Sequence, residues 1–253
     1  MMNKYVTSIK DNSKEYELVV IMPAYNEAEQ ITENLLKAAQ VISSFQEDFI
    51  IIAVNDGSKD QTEEKIIDAC AKNSHIQYVS YSENKGKGGA IKEGVKHANG
   101  RFIAFLDSDL ELPPIMLKDF LQALNNSKAH VAIGSKLHKD SKLHYPLVRK
   151  IMSLGYYLML KLLFKLKIKD TQTGIKLFRQ EVIKPICENL MTTGFAFDIE
   201  ILATASKKGY KIIEMPITLN FSRDRREKSR MTIKTIAKVF KDTLKIKSHI
   251  KSL

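Results

Sequence analysis

The chain has 253 residues, 44% of them hydrophobic, with two cysteines and a formal net charge of +11. This length gives one large domain or one domain with an appendage, and the apolar content excludes global disorder. Cys70 and Cys187 have neither metal-like nor redox spacing, the first residues are polar, and no run of about 18 uncharged apolar residues occurs, so reduced thiols, no signal region and no spanning helix are expected.

Met1 to Glu17 reads as a loose polar lead-in. Leu18 to Met22 is a short apolar run ended by Pro23, the pattern of a buried strand. A helix is predicted over Glu29 to Ser44, with apolar positions at Ile31, Leu35, Ala38, Ala39 and Ile42. Phe49 to Val54 is a second buried strand, closed by Asn55-Asp56-Gly57-Ser58. A helix over Asp60 to Lys72 follows, with Ser58 and Gln61 spaced as a capping box. Ile76 to Tyr81 and Phe102 to Leu106 are further strands, separated by a helix over Gly88 to Ala98. Pro113 to Asn125 is predicted helical and Val131 to Ser135 a fifth strand. This alternation predicts an α/β fold, a mostly parallel central sheet with helices on both faces, and ligands beyond the carboxyl ends of the strands.

Beyond Ser135 the pattern changes. A basic, apolar helix is expected over Arg149 to Lys169, a polar turn and short strand over Asp170 to Arg179, a helix over Phe195 to Lys207, a strand over Lys211 to Thr218, and a final helix from Met231 to about Ser248. A main domain at 1–220 and a basic amphipathic segment at 221–253 follow from this. Residues 136–169 and 221–253 carry +8 each, leaving the remainder at −5. Nucleic acid, an anionic membrane and a phosphorylated substrate would all suit such segments, and so would plain solvation.

The sharpest chemical signal is Asp107-Ser108-Asp109-Leu110-Glu111 at the end of an apolar strand. Alternate residues leaving a strand can point the same way, and Mg²⁺-like ions take hard oxygen ligands, one or two carboxylates plus substrate phosphates. Asp56 lies at another strand end, where a carboxylate can accept base N–H or ribose hydroxyl groups or belong to an ordinary turn. Lys85-Gly86-Lys87-Gly88-Gly89 opens a helix, either as a flexible turn or with its N–H groups facing an anion. It is neither a Walker A loop nor G-x-G-x-x-G. No zinc spacing, H-E-x-x-H or G-x-S-x-G occurs, and the six histidines are scattered.

Four motifs in order give the chain a resemblance to the family-2 inverting glycosyltransferases of the GT-A fold. They are Val20 to Glu27, Asn55 to Thr62, Asn84 to Ala90 and Asp107-Ser108-Asp109. The resemblance implies a nucleotide-sugar site at Pro23, Ala24, Tyr25, Glu27, Asp56, Lys87 and Asp107. It implies a divalent ion, Mg²⁺ or Mn²⁺, on Asp107 and Asp109, with Glu111 as a third ligand. The chain looks closest to polyprenyl- or dolichyl-phosphate sugar synthases. Gly134-Ser135-Lys136 stands where Gly-Ser-Arg is frequent, and lysine lacks arginine's bidentate fork. With Arg149 and Ser153, Lys136 would hold an acceptor phosphate. Asp170 to Phe178 and Phe195 to Glu200 resemble the glucosyl branch, pointing to UDP-glucose. Asp170 and Asp198 would orient sugar hydroxyls, or act as base for a hydroxyl acceptor, beside Asp109 in the catalytic set.

Ile151 to Ile168 is apolar except for Ser153, Lys161, Lys165 and Lys167. The last helix sets Ile233, Ile236, Ala237, Phe240 and Leu244 beside Lys234, Lys238, Lys241 and Lys245. Such helices either lie on anionic lipid or pack on the body. The expected protein is cytoplasmic and peripherally membrane-associated. A non-catalytic nucleotide-sugar module and a saccharide or other hydroxyl acceptor are the alternatives. A nucleic-acid partner is not expected, because the basic segments lack interleaved aromatic platforms.

Overall fold

The computed structural model describes residues 5–9, 13–142, 160–161, 163–164, 166–194, 196–218 and 242–250. Its strands are Tyr5–Thr7 (β1), Tyr16–Ala24 (β2), Phe49–Asp56 (β3), Ile76–Tyr81 (β4), Gly100–Leu106 (β5), Val131–Ser135 (β6), Ile175–Arg179 (β7) and Ile212–Pro216 (β8). They form one sheet in the order β1-β4-β3-β2-β5-β7-β6-β8. The four apolar runs of the first half, β2 to β5, are mutually parallel. In the second half β7 runs antiparallel between β5 and β6, and β8 pairs in parallel with β6. β1 lies antiparallel on the β4 edge, inside the segment expected to be a loose lead-in.

Both faces of the sheet are covered, which is why its strands read as continuous apolar runs. Leu18, Val20 and Met22 face Ile31–Ser43 (α1), Thr62–Lys72 (α2) and Met116–Asn125 (α4). Val19 and Ile21 face Lys87–His97 (α3), Gln180–Glu188 (α5) and Phe197–Lys207 (α6). α3 lies so close to the sheet that a Cβ on Gly94 would overlap Ile21 and approach Val54. Pro23 sits beyond the last β2 residue paired with β5, so its missing N–H breaks no bond on that side.

Several boundaries differ from the sequence expectation for local reasons. α2 starts at Thr62 rather than Asp60 and has no side-chain cap; Ser58 is instead engaged by the N–H of Asn26. α4 starts at Met116 because 113–118 forms a lead-in of i to i−3 bonds, from Met116 N to Pro113 O and from Leu117 N to Pro114 O. α5, with Pro185 inside it, was not foreseen. The expected helix over 149–169 lies largely outside the described residues. Within it, 166–168 is non-helical, and Leu160, Leu166 and Ile168 are buried against the α3 face. Residues 242–250 are helical and bury Ile246 and Ile250 on the same face, while Leu244 stays 47% exposed. In the described part of both segments these five apolar side chains enter the core, whereas Leu244, from the apolar face expected for the last helix, points to solvent; Ile233, Ile236, Ala237 and Phe240 of that face lie outside the described residues.

Successive strands β2, β3 and β4 step one way across the sheet, and β5 lies on the other side of β2. The chain order reverses between β2 and β5, the switch point at which a crevice opens beyond the carboxyl ends of a parallel sheet. The turns at 24–28 and 107–111 leave from those two strands.

Candidate active site

At the β2 side of the crevice, two turns are stitched together. Asn26 takes a left-handed backbone, φ 54°, and its side-chain oxygen accepts Lys59 N–H at 2.9 Å. In return, Asn26 N–H donates to Ser58 Oγ at 3.0 Å, Glu27 N–H to Thr62 Oγ1 at 2.8 Å, and Ala28 N–H to Asp60 Oδ2 at 3.2 Å. Pro23 and Ala24 end β2 in register with Val54 and Asn55. Glu27 is half-buried, and the Tyr25 ring is 38% exposed at the mouth.

Asp56 closes β3 and is only 3% exposed. Its Oδ1 accepts Tyr81 OH and Lys85 N–H, both at 2.8 Å, and its Oδ2 accepts Asn84 Nδ2 at 3.0 Å. Burial pushes its carboxyl up, against the lowering by Lys85 N–H, Tyr81 OH and Gly86 N–H. Oδ2 retains acceptor capacity for a ligand.

The glycine-rich segment is not an anion cradle. Gly88 and Gly89 N–H both donate to Thr193 O, at 2.8 and 3.2 Å. The 191–194 loop is in turn held by buried Glu200, which accepts Met191 and Thr192 N–H at 2.9 Å each. Gly86 has φ 80°, and a Cβ on Gly88 would overlap Phe197 and Thr192. These glycines admit the loop rather than a phosphate.

The segment does deliver Lys87. Its ammonium lies 2.6 Å from Asp107 Oδ1, with 28% of the lysine side chain and 35% of the aspartate exposed. Burial pulls the ammonium down, but Asp107, Asp198 and Asp109 more than offset this and hold its pKa raised. Asp107 is backed by Gly174, where any Cβ would overlap its carboxylate. Leu110, at φ 51°, reverses the chain after Asp109, and Glu111 N–H donates to Asp109 Oδ1 at 3.2 Å. Burial, and then the charge of Asp107, push the Asp109 carboxyl up to about 6. Glu111 itself is exposed. Among the described residues no three carboxylate, histidine or cysteine side chains are gathered to hold a metal ion. The expected three-carboxylate set of 107, 109 and 111 is thus not assembled, since the left-handed turn at Leu110 carries Glu111 outward.

Asp198, in the first turn of α6, is buried and lies 2.6 Å from Nζ of Lys176, itself 2% exposed as the second residue of β7. Lys176 also donates to Thr173 O at 2.5 Å. Burial raises the Asp198 carboxyl, opposed first by Lys176 and then by Lys87. The structure so groups Asp107, Asp109 and Asp198 around Lys87. Lys176, Gly174 and Glu200 were given no role from sequence, although all three lie in the segments that resemble the glucosyl branch; a further signal was the lone lysine in the apolar run Ile175-Lys176-Leu177-Phe178.

Asp170 and Lys136 meet at the end of β6. Asp170 Oδ2 accepts Lys136 N–H at 2.9 Å and lies 4.0 Å from its Nζ, while Oδ1 accepts Gln172 N–H at 3.1 Å. Glu214 accepts Lys169 and Asp170 N–H. Asp170 therefore organises the Lys136 turn. Arg149 and Ser153 lie outside the described residues.

The chain is 30% identical over 237 residues to a dolichyl-phosphate beta-glucosyltransferase of Trichomonas vaginalis, covering 89% of this chain and 71% of the relative. It is 31% identical over 229 residues to the dolichyl-phosphate beta-glucosyltransferase of Saccharomyces cerevisiae, covering 82% and 68%. Among solved structures, glucosyl-3-phosphoglycerate synthase from Mycobacterium tuberculosis with Mn²⁺, uridine-diphosphate and glucosyl-3-phosphoglycerate superposes with a TM-score of 0.67 at 16% identity. That match covers 91% of this chain and 78% of the other, and bears out the expected GT-A fold. Residues 19–187 match the model for glycosyl transferase family 2, and the chain belongs to that family.

Proposed function

We propose that the chain transfers a hexose, glucose first, from a nucleotide-sugar, UDP-glucose first, to a polyprenyl or dolichyl phosphate at an anionic membrane surface. The carrying observation is the Asp107–Asp109–Lys87 cluster at the sheet's switch point, a donor set suited to a diphosphate and a hard cation. The names of the relatives supply the acceptor class and the sugar.

Asp107 and Asp109 would hold Mg²⁺ or Mn²⁺; their hard carboxylate oxygens, and the raised carboxyl of Asp109 beside the charge of Asp107, fit such an ion. When bound, the ion supplies Lewis-acid neutralisation of the leaving diphosphate. Asp56 and the 23–27 turn would hold the nucleoside, with the exposed Tyr25 ring at the mouth. Lys87 would face the diphosphate, and Asp198, tied to Lys176, would orient sugar hydroxyls. Lys136, with Arg149 and Ser153, would receive the acceptor phosphate. A phosphate monoester has a second pKa of about 6 and is already an anion at neutral pH, so no strong general base is needed. In-line attack on the anomeric carbon inverts it.

The test is a donor screen with a short polyprenyl phosphate, with Mn²⁺, Mg²⁺ or chelator, reading released nucleoside diphosphate. UDP-glucose with either cation should give release that Asp109→Ala abolishes. Full turnover in chelator, or release only with a saccharide acceptor, would sink the reading. Among the described residues no helix is long and apolar enough to cross a membrane, so the lipid acceptor would be met by peripheral contact. Liposome flotation that does not weaken with salt would count against the basic segments as the contact.

A further inference from the structure

One buried carboxylate stands outside the transfer machinery. Glu93, in the second turn of α3, is 7% exposed. Its Oε2 lies 3.1 Å from Lys85 Nζ. Its Oε1 accepts Tyr5 OH at 3.1 Å and faces Lys96 Nζ at 3.4 Å and His97 Nε2 at 3.7 Å. Lys85 reaches Glu93 across the first turn of α3, where a Cβ on Gly89 would overlap the lysine's own Cβ. The same ammonium stands 4.2 Å over the Tyr81 ring. Tyr81 OH and Lys85 N–H are the two donors to Asp56 Oδ1. Glu93 therefore anchors the lysine that braces the two groups on Oδ1 of Asp56.

We propose that Glu93 is a positioning residue for nucleoside binding, acting through Lys85 and Tyr81 on Asp56, with Tyr5 of β1 closing the anchor from the sheet edge. The inference rests on the reading of Asp56 as a nucleoside contact. A buried ionised carboxylate is retained only where partners satisfy it, and here the partners lead to the nucleotide turn. Lys85, 38% exposed, is otherwise a solvated side chain whose orientation would be lost without Glu93.

The test is calorimetric titration of UDP, at fixed Mn²⁺, into the full chain and four variants, with thermal melts alongside. Asp56→Asn tests the underlying reading and should weaken UDP binding. Glu93→Gln should raise the UDP Kd on the order of tenfold, Lys85→Met should do the same, and the double variant should be no weaker than either single, because the two act in one chain of contacts. UDP affinity unchanged in Glu93→Gln while Asp56→Asn weakens it overturns this inference alone. Unchanged affinity in Asp56→Asn removes the reading and the inference with it. Additive losses in the double variant also overturn it. A fall in melting temperature without a fall in affinity would make Glu93 merely structural. Lys85→Met, at a half-exposed side chain, keeps the test decisive should Glu93→Gln fail to fold: UDP affinity unchanged there equally overturns the proposal.

Discussion

Replacing Gly174 with alanine adds one methyl group against Asp107. The new Cβ would stand 2.6 Å from the Asp107 carboxyl carbon, whereas comfortable carbon–carbon contact begins at about 3.5 Å. About 0.9 Å must be found. It cannot come easily from the strands, because Ile175 and Leu106 pair directly beside the contact and are 0% and 1% exposed. Gly174 is not among the positive-φ glycines, so alanine strains no backbone there. The short Asp107 side chain gives way and the 2.6 Å contact with Lys87 is lost. A displacement of about 1 Å in a positioning group is worth on the order of 10²-fold in rate, or about 2.7 kcal/mol. Steady-state release of UDP from UDP-glucose and polyprenyl phosphate should show kcat/KM down by about that factor. The melting temperature should move by no more than roughly 4 °C. A variant within about threefold of the parent would refute the idea that Asp107 must occupy this position.

Asp109, with its carboxyl at about 6, lies above its unfolded value of about 3.9. The folded state then holds the proton more tightly, and stability falls as pH rises between those values. In chelator, Asp109→Asn should raise the melting temperature by roughly 2–4 °C at pH 7.5 and leave it almost unchanged at pH 4; equal shifts at both would contradict the burial argument. The same proton must leave before Asp109 can bind a cation, so Mn²⁺ affinity measured with UDP-glucose present should drop about tenfold from pH 7 to pH 5. A flat profile would exclude Asp109 as a ligand. Lys176→Met strands Asp198 beside a lost cation and should lower unfolding stability in urea by about 3 kcal/mol, most of it restored in Lys176→Met/Asp198→Asn. Equal stability of the single variant and the parent would show that the pair is dispensable.

The parallel half of the fold was legible because β2, β3 and β5 are buried on both faces and so carry unbroken apolar runs. The strand-end acids at 56, 107 and 109 were legible for the same reason: polarity stops an apolar run abruptly. Long-range pairing was not legible. Nothing local in Ile175–Arg179 says that it runs antiparallel between β5 and β6, and the burial of Lys176 follows from that pairing and from Asp198 arriving from another helix. Glycines 86, 88 and 89 left a flexible turn and an anion cradle both open in the sequence. What decides between them is the 191–194 loop, which passes over Gly86 and Gly88 and takes the N–H groups of Gly88 and Gly89 on Thr193 O, a contact made more than one hundred residues away along the chain.

The two lysines of the cluster divide its work by their burial. With Asp109 ionised, Asp107, Asp109 and Asp198 set three negative charges against Lys87 and Lys176. A diphosphate arriving alone would add charge to a site already net negative. At about 4 Å and an effective dielectric near 20, each such unit pair interacts by about 4 kcal/mol. A cation arriving alone would have to take Asp107 from Lys87. Arriving together, the two would be nearly neutral, and on the proposed function Lys87, its side chain 28% exposed, would pass from Asp107 to the diphosphate without entering bulk solvent. Lys176, 2% exposed and bound to both Asp198 and Thr173 O, has no such freedom. Its fixed charge keeps Asp198 from drawing Lys87 away. On the proposed function, Lys87 would be free to follow the diphosphate only because Lys176 holds Asp198 in place.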